Sequence, residues 1–278
     1  HWADGAKSER LVAVPGTEKM RFGANRGWQA PERSVLVQTL SVGRRRIETR
    51  LLTKQQGEWL GYSYRWDNDQ TDAVLVGAGG ARLQLEGNRS WNIPSRAECM
   101  MCHARAAKYT LGLSSLQMNK PVIRSGKKVN QIAYLVNSGL LGGVKAEKYE
   151  KDLGAGEKRL ADPYDSGSVL EARVRSYWQV NCAHCHIEAG GGNAKMKLDW
   201  GRALKDTLTV GEDPVHSRFG LGEEAQIVSV GDPAHSVMLQ RIIRPGIGRM
   251  PPVGGVLPDP QWIELFARWV SELKPDKQ

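Results

Sequence analysis

Short hydrophobic runs alternate with turn-forming residues over the first 95 positions of the chain. The runs are rich in β-branched, aliphatic and aromatic residues, and Gly, Pro, Asn and Asp separate them. This pattern is typical of antiparallel strands. We therefore predict a small antiparallel β-sandwich at the N-terminus. Its predicted strands are Leu11–Val14, Ser34–Leu40, Ile47–Leu52, Trp59–Trp66 and Ala73–Val76.

Helical signals replace strand signals after Pro94. The sequence Ser95-Arg96-Ala97-Glu98 forms a capping box, which predicts a helix that begins at Ser95 and ends near Leu111. A second short helix is predicted over Asn130–Ser138, with Gly139 as its stop. The stretch 144–158 is polar and interrupted by glycine, and we interpret it as a linker or a surface excursion.

Two further helices are predicted in the last third of the chain. Ser168-Val169-Leu170-Glu171 forms a second capping box, followed by apolar residues at helical spacing. Asp259-Pro260 places a capping residue before a proline, which predicts the start of a terminal helix. The apolar stripe of that helix is Trp262, Phe266, Trp269, Val270 and Leu273. We interpret the stripe as core packed on another helix.

The formal net charge of +9 is unevenly distributed. Residues 96–160 carry 12 Lys and Arg against 5 Asp and Glu, whereas residues 161–278 carry 13 against 15. Such a basic region can steer an acidic redox partner, contact anionic lipid or balance anionic groups within the protein. No nucleic-acid-binding motif is present, and no apolar run is long enough to cross a bilayer. No export signal is visible, so His1 is expected to follow a cleavage or expression boundary.

The four cysteines form two Cys-x-x-Cys-His motifs. These are Cys99-Met100-Met101-Cys102-His103 and Cys182-Ala183-His184-Cys185-His186. Two thiols one helical turn apart can form thioethers to a single haem, and the following histidine can coordinate its iron. We therefore predict two covalent haem c groups, with His103 and His186 as proximal ligands. His184 is expected to face solvent.

Zinc sites, thiol–disulfide redox pairs and structural disulfides are the alternatives for these cysteines. A zinc site does not require a histidine directly after the second cysteine of each pair. Neither motif lies in a thioredoxin-like βαβ pattern. The repeated histidine therefore favours haem.

Candidate sixth ligands follow each motif. For the second haem we predict Met250, which lies in Arg249-Met250-Pro251-Pro252 before the terminal helix, because a thioether stabilises ferrous iron and the prolines stiffen its loop. Met196 and Met238 are rivals, although Met238 lies in an apolar run. For the first haem we predict Met118, and His216, Lys120 or an open position are the alternatives.

The predicted fold class is α+β, with a small antiparallel β domain followed by two mainly helical haem units. The predicted domains are 1–94, 95–160 and 161–278. Residues 168–273 resemble a small class I cytochrome c, through the helix, the second motif, the Met-Pro-Pro loop and the aromatic terminal helix. The wider chain resembles bacterial dihaem modules that are sometimes joined to propellers similar to pyrroloquinoline-quinone (PQQ) sugar dehydrogenases. Trp91–Cys99, Leu111–Leu113, Gln117–Asn119 and Asn181–Gly191 carry that resemblance.

The resemblance implies an exported or periplasmic protein, because haem c is assembled outside the cytoplasm. It also implies service as an electron acceptor, with a PQQ-dependent dehydrogenase domain as a possible redox partner. The alternative is a dihaem peroxidase, for which Gln117 and Glu98 are weak acid–base candidates. A third hypothesis is an N-terminal binding module that exposes Trp28, Trp59 and Trp66, although such aromatic residues are more often core.

Overall fold

The structure is a computed structural model that describes residues 1–23, 26–150 and 159–275. The chain divides into two compact units. The first, which we call the sheet unit, comprises Ala6–Arg82 and Ile93–Leu160. The second, which we call the helical unit, comprises His1–Gly5, Leu83–Asn92 and the chain from Ala161 onward. The sheet and the first Cys-x-x-Cys-His motif thus share one unit, whereas the sequence predicts separate domains for 1–94 and 95–160.

A five-stranded antiparallel sheet dominates the sheet unit. Its strands are β1 (Lys7–Ala13), β3 (Val35–Val42), β4 (Arg45–Gln55), β5 (Glu58–Trp66) and β6 (Ala73–Leu75). The short strand β2 (Met20–Arg21) lies between β1 and β3 in the chain but is not part of this sheet. The spatial order of the sheet is β1-β3-β4-β5-β6, without β2. Each of the five strands predicted from sequence is present. The β4–β5 hairpin turns through Gln56 and Gly57, which both have positive φ angles, as a two-residue hairpin requires.

This sheet is a single layer rather than the predicted sandwich. One face carries buried side chains on neighbouring strands, including Leu40, Glu48, Leu52, Trp59 and Ser63. Helix α1 (Arg96–Cys102) packs against β5. An alternating strand pattern identifies a buried face but not the kind of element that covers it.

The capping box at the start of α1 is confirmed. The Ser95 hydroxyl accepts a hydrogen bond from the Glu98 backbone N–H at 3.1 Å, and the Glu98 carboxylate accepts one from the Ser95 backbone N–H at 2.7 Å. The expected end near Leu111 is wrong, because the helix stops at Cys102 and His103 has non-helical backbone angles. The chain then turns, with positive φ angles at Lys108 and Tyr109.

Short elements complete the sheet unit. They are α2 (Ser115–Met118), β9 (Pro121–Arg124), β10 (Lys127–Asn130), α3 (Gln131–Asn137), β11 (Leu141–Gly142) and α4 (Glu147–Glu150). Helix α3 confirms the predicted helix, with Asn130 as its N-cap and Gly139 just beyond its end at φ +80°. Helix α4 lies inside the predicted linker, of which residues 151–158 are outside the described residues.

Three helices build the core of the helical unit. They are α5 (Leu170–Asn181), α6 (Val237–Ile243) and α7 (Pro260–Glu272), and a hairpin of β7 (Ala81–Leu85) and β8 (Arg89–Ile93) precedes them in the chain. Tyr177 on α5 stacks on Trp262 of α7, with ring centroids 4.0 Å apart and nearly parallel planes. The predicted aromatic stripe of α7 is therefore core. No helix among the described residues is long and apolar enough to span a membrane.

The two predicted helix starts in this unit have different outcomes. Asp259 caps α7, because its carboxylate accepts a hydrogen bond from the Trp262 backbone N–H at 3.2 Å. The capping box at Ser168 is wrong, since α5 begins at Leu170 without a side-chain cap. The Ser168 hydroxyl instead donates to the Asp165 carboxylate at 2.9 Å.

Candidate haem-binding sites

The first motif lies at the C-terminal end of α1. Cys99 and Cys102 are on the last helical turn, and His103 caps the helix. The His103 Nδ1 atom lies 2.5 Å from the Tyr109 carbonyl oxygen. Because a carbonyl can only accept, Nδ1 carries the proton in this contact and Nε2 is the unprotonated nitrogen of the neutral ring. This backbone hydrogen bond orients the ring in the way expected of a proximal iron ligand.

Strand β5 approaches this motif closely at Gly61. A Cβ atom at Gly61 would lie 2.7 Å from the Cys99 Cβ and 2.9 Å from its Sγ. Both distances are shorter than side chains tolerate, so glycine is required for the approach. The sheet is therefore one wall of the first motif.

A buried ion pair occupies the same face of the sheet. The Arg50 guanidinium donates two hydrogen bonds to the Glu48 carboxylate, with N–O distances of 2.7 and 2.9 Å. Glu48 is fully buried, whereas 26% of the Arg50 side chain is exposed. Burial acts to lower the Arg50 pKa, but Glu48 and both cysteines of the motif act against it, and the Arg50 pKa is raised. Burial raises the Cys99 pKa, and Arg50 partly offsets that rise.

The second motif directly follows α5. Cys182 caps the helix, and the His186 backbone N–H donates to the Cys182 carbonyl at 2.9 Å. Burial raises the Cys182 pKa to about 12, so this thiol is protonated at neutral pH. Burial also lowers the His186 pKa, which favours the neutral imidazole that iron ligation requires.

The chain after the second motif folds back onto its histidine. A Cβ atom at Gly192 would lie 2.7 Å from His186 Nδ1, so only glycine permits this approach. The Gly192 backbone N–H also donates to the Cys185 carbonyl at 3.0 Å. His186 Nδ1 is buried and has no hydrogen-bond partner among the described residues, as is also true of the indole nitrogens of Trp178 and Trp262. Buried polar atoms are normally paired, so unpaired ones fit a core that a further group completes.

Met250 lies in a loop that α6 holds through Arg241. The Met250 backbone N–H donates to the Arg241 carbonyl at 2.7 Å, and the Arg241 guanidinium donates to the Gly248 carbonyl at 2.8 Å. Met250 is half-buried. The loop therefore has a defined backbone at the predicted ligand.

The N-terminal residues anchor the far end of this loop. The Asp4 carboxylate, which is 3% exposed, accepts hydrogen bonds from the backbone N–H groups of Val256 at 2.8 Å and Leu257 at 3.0 Å. The Trp2 indole donates to the Leu257 carbonyl at 2.8 Å, and the Trp2 backbone N–H donates to the Asn181 side chain at 2.7 Å. Because Asn181 precedes the second motif, these residues link the motif to the methionine loop.

The structure also locates the other predicted ligand candidates. Met118 ends α2 and packs against the hydrophobic core of the sheet unit, as do Met100 and Tyr109. Lys120 and His216 are exposed, and His216 belongs to the helical unit. Coordination of the first haem by Met118 stays a prediction.

Several expectations about other side chains can be compared directly. Met238 is core, as its apolar run predicts, and Met196 is buried in the same cluster. The solvent-facing position expected for His184 is wrong: it is 9% exposed, and its ring centroid lies 5.9 Å from that of His1. The prediction assumes that His184 lies on a helix, but α5 ends at Asn181, before His184. Trp28 and Trp59 are buried at 1% and 6% exposure, which removes two aromatic residues from the proposed binding surface.

The cysteines fit a thioether role. No disulfide bond joins the cysteines of either motif in the part of the chain that the structure describes. Each pair is followed by a histidine that is either oriented by a carbonyl or buried with a lowered pKa. The donor set therefore fits haem c at both motifs.

The residues that support the motifs carry no local sequence signal. Arg50, Glu48, Tyr109, Asp4 and Arg241 contact the motifs or their loops across the chain, and no local pattern marks them. Gly61 did carry a usable signal, because an isolated glycine within an aromatic strand suggests close approach of another segment.

Comparison with known proteins bears on the second motif. The family model described as cytochrome c oxidase, cbb3-type, subunit III matches residues 170–267. That range contains Cys182, Cys185, His186 and Met250. Neither the search of curated proteins nor the search of solved structures gave a match.

The match supports a c-type cytochrome, a class of protein that transfers electrons through covalently bound haem c. The matched range contains α5, the second motif, the Met250 loop and most of α7.

Proposed function

We propose that this chain is an exported dihaem electron-transfer protein. The observation that carries the proposal is the pair of Cys-x-x-Cys-His motifs, each at the C-terminal end of a helix and each with a histidine suited to iron. The resulting α+β layout is a sheet unit and a helical unit, each with one haem c. Each haem supplies one-electron chemistry, and the protein holds it and sets its environment.

The ligands proposed for the second haem are His186 and Met250. The Arg241 and Asp4 hydrogen bonds hold the methionine loop in place, and His186 is buried. A His/Met pair raises the reduction potential relative to two nitrogen ligands. The second haem is therefore a high-potential centre in this proposal.

The ligands proposed for the first haem are His103 and Met118. Both belong to the sheet unit, and the Tyr109 carbonyl fixes the His103 ring. The peroxidase alternative requires an acid–base side chain at an open iron position. Glu98 is engaged in the capping box of α1, which weakens that alternative.

The donor proposed for the chain is a PQQ-dependent dehydrogenase domain in the periplasm. The resemblance to bacterial dihaem modules motivates this choice, and haem c assembly outside the cytoplasm motivates the location. The basic segment 96–160 would favour an acidic partner surface through electrostatic steering.

Mass spectrometry of the denatured protein tests the number of haems. We expect two covalent additions in the native sequence and one in each matched double variant, Cys99→Ser with Cys102→Ser and Cys182→Ser with Cys185→Ser. Haem that is released into acidified organic solvent, or zinc in place of haem, would contradict the proposal.

A spectroscopic redox titration separates the relay from the peroxidase. Two low-spin six-coordinate haems that do not consume hydrogen peroxide in the half-reduced state are expected. A high-spin haem with rapid peroxide turnover would support the enzyme instead.

A further inference from the structure

The ion pair of Glu48 and Arg50 is unusual for its position in the sheet. The two residues are neighbours on one face of β4, since side chains two residues apart point the same way. Glu48 is fully buried, and a buried charge is costly unless it is paired. The pair therefore has a structural cost that plain apolar residues at these positions would avoid.

The geometry of the sheet brings this face against the first motif. Leu52 pairs across the sheet with Gly61, and Gly61 is the residue that Cys99 approaches closely. Arg50 is two residues from Leu52 on the same face, about 7 Å along the strand. The guanidinium interacts electrostatically with both Cys99 and Cys102.

A buried hydroxyl lies opposite the arginine. Ser63 is the cross-strand partner of Arg50, so its side chain shares the same face. It is 5% exposed, and its Oγ has no hydrogen-bond partner in the part of the chain that the structure describes. The wall beside the motif thus contains an anion, a cation and an unpaired hydroxyl where a core would ordinarily be apolar.

We propose that the Glu48–Arg50 pair, on the face of the sheet beside the first motif, sets the reduction potential of the first haem electrostatically. The inference rests on the proposed function, since it requires a haem at Cys99 and Cys102. Along this face of β4, Arg50 is one position from Leu52 and Glu48 is two, so the cation is the nearer charge to the Leu52–Gly61 pair that Cys99 approaches. The pair therefore presents its positive end to the motif, and positive charge near a haem stabilises the ferrous state, which has one positive charge fewer.

Single substitutions at the two positions should shift this potential in opposite directions. Arg50→Gln removes the cation and leaves a buried carboxyl group, which should lower the potential. Glu48→Gln leaves the cation unopposed, which should raise it. The sign for Arg50→Gln holds even if the isolated Glu48 takes up a proton, because the positive end of the pair is lost in either case.

The experiment is a redox titration of the full dihaem protein carrying each variant, after mass spectrometry has counted its haems. Arg50→Lys is the matched control and should stay near the native potential, because it keeps the charge. The potential that moves should differ from the one that Met250→Ala lowers. The reduction potential of the first haem in the Glu48→Gln/Arg50→Gln double variant should lie between those of the two single variants.

The outcomes separate this inference from the proposed function. The inference is supported if both haems are attached and the first-haem potential falls in Arg50→Gln and rises in Glu48→Gln. Two haems with shifts of the same sign, with no shift, or with the Met250-dependent potential moving instead would overturn it. Loss of the first haem in all variants, Arg50→Lys included, would assign the pair a packing role and also overturn it. A native protein that lacks a haem at Cys99 and Cys102 would instead refute the proposed function.

Discussion

Asp4 accepts a backbone hydrogen bond from Leu257 across 253 positions of the chain. A Cβ atom at the neighbouring Gly255 would collide with the Asp4 carboxylate, so the loop closes tightly around the acid. This contact ties the N-terminal residues to the segment that follows Met250, within the helical unit.

Substitution of Asp4 should loosen the methionine loop. Asp4→Ala leaves the N–H groups of Val256 and Leu257 without their acceptor, which should cost about 1–3 kcal/mol of unfolding free energy. The weak thioether-to-iron absorption of the ferric protein should decrease as Met250 dissociates more often. Denaturant unfolding and the ferric spectrum measure the two effects.

Glu9→Ala is the control for Asp4→Ala. Glu9 is an exposed acid on the sheet unit, so its loss changes the net charge equally without affecting the loop. If Asp4→Ala and Glu9→Ala have the same stability and spectrum as the native protein, the anchoring role of Asp4 is wrong.

Replacement of Met250 tests the sixth ligand of the second haem. Met250→Ala removes the thioether, so the red-end absorption of the ferric state should disappear and one potential should fall. Met238→Leu is the control, since it changes a buried methionine in the core of the same unit. Both haems keeping their spectra and potentials in Met250→Ala would disprove the assignment.

Local signals in the sequence predicted local features well. The capping box at Ser95 and the cap at Asp259 are present, because each involves residues within one helical turn. The equivalent signal at Ser168 failed, since α5 begins at Leu170 and Val169, which has no capping side chain, is its N-cap. The motif cysteines are identifiable for the same reason, because their chemistry depends on a spacing of three residues.

Features that depend on distant contacts could not be predicted in this way. The contacts of Asp4 with the loop after Met250, and of Arg50 with the first motif, join residues far apart in sequence. No local pattern around a single aspartate or arginine predicts which distant residue it will contact. The single-layer sheet likewise differs from the predicted sandwich, because the cover of its buried face is decided by where α1 packs. The outward position predicted for His184 is wrong because it assumes a helix, and α5 ends at Asn181, before this residue.

A methyl group at Gly61 should disturb the first haem selectively. Gly61→Ala places a Cβ atom within 3 Å of Cys99, and such overpacking costs about 1–3 kcal/mol. Helix α1 must shift, so we expect incomplete attachment at Cys99 and Cys102 and normal attachment at the second motif. Mass spectrometry of tryptic fragments measures both.

Gly79→Ala provides the comparison for Gly61→Ala. Nothing lies within 4 Å of a Cβ atom at Gly79 among the described residues, and its φ is not positive. Full occupancy of both motifs in Gly61→Ala would show that β5 does not constrain the first site.

Met118 is the predicted sixth ligand of the first haem, and its position can be tested without changing volume. It packs with Met100 and Tyr109 against the core of the sheet unit, which is equally consistent with coordination and with contact against the haem face. Met118→Leu keeps the bulk but cannot coordinate iron. If Met118 is the ligand, the first haem should become high-spin or five-coordinate, which absorption and electron paramagnetic resonance spectra detect.

Met20→Leu is the matched control for Met118→Leu, because Met20 is 1% exposed in the core of the same unit. The core should repack around the leucine, so Met20→Leu should lower the free energy of unfolding by less than about 1.5 kcal/mol. The absorption and electron paramagnetic resonance spectra should stay unchanged. A first haem that stays low-spin and six-coordinate in Met118→Leu would exclude Met118. Lys120→Ala and His216→Ala would then be compared for the same spectral change, since those side chains are the remaining candidates.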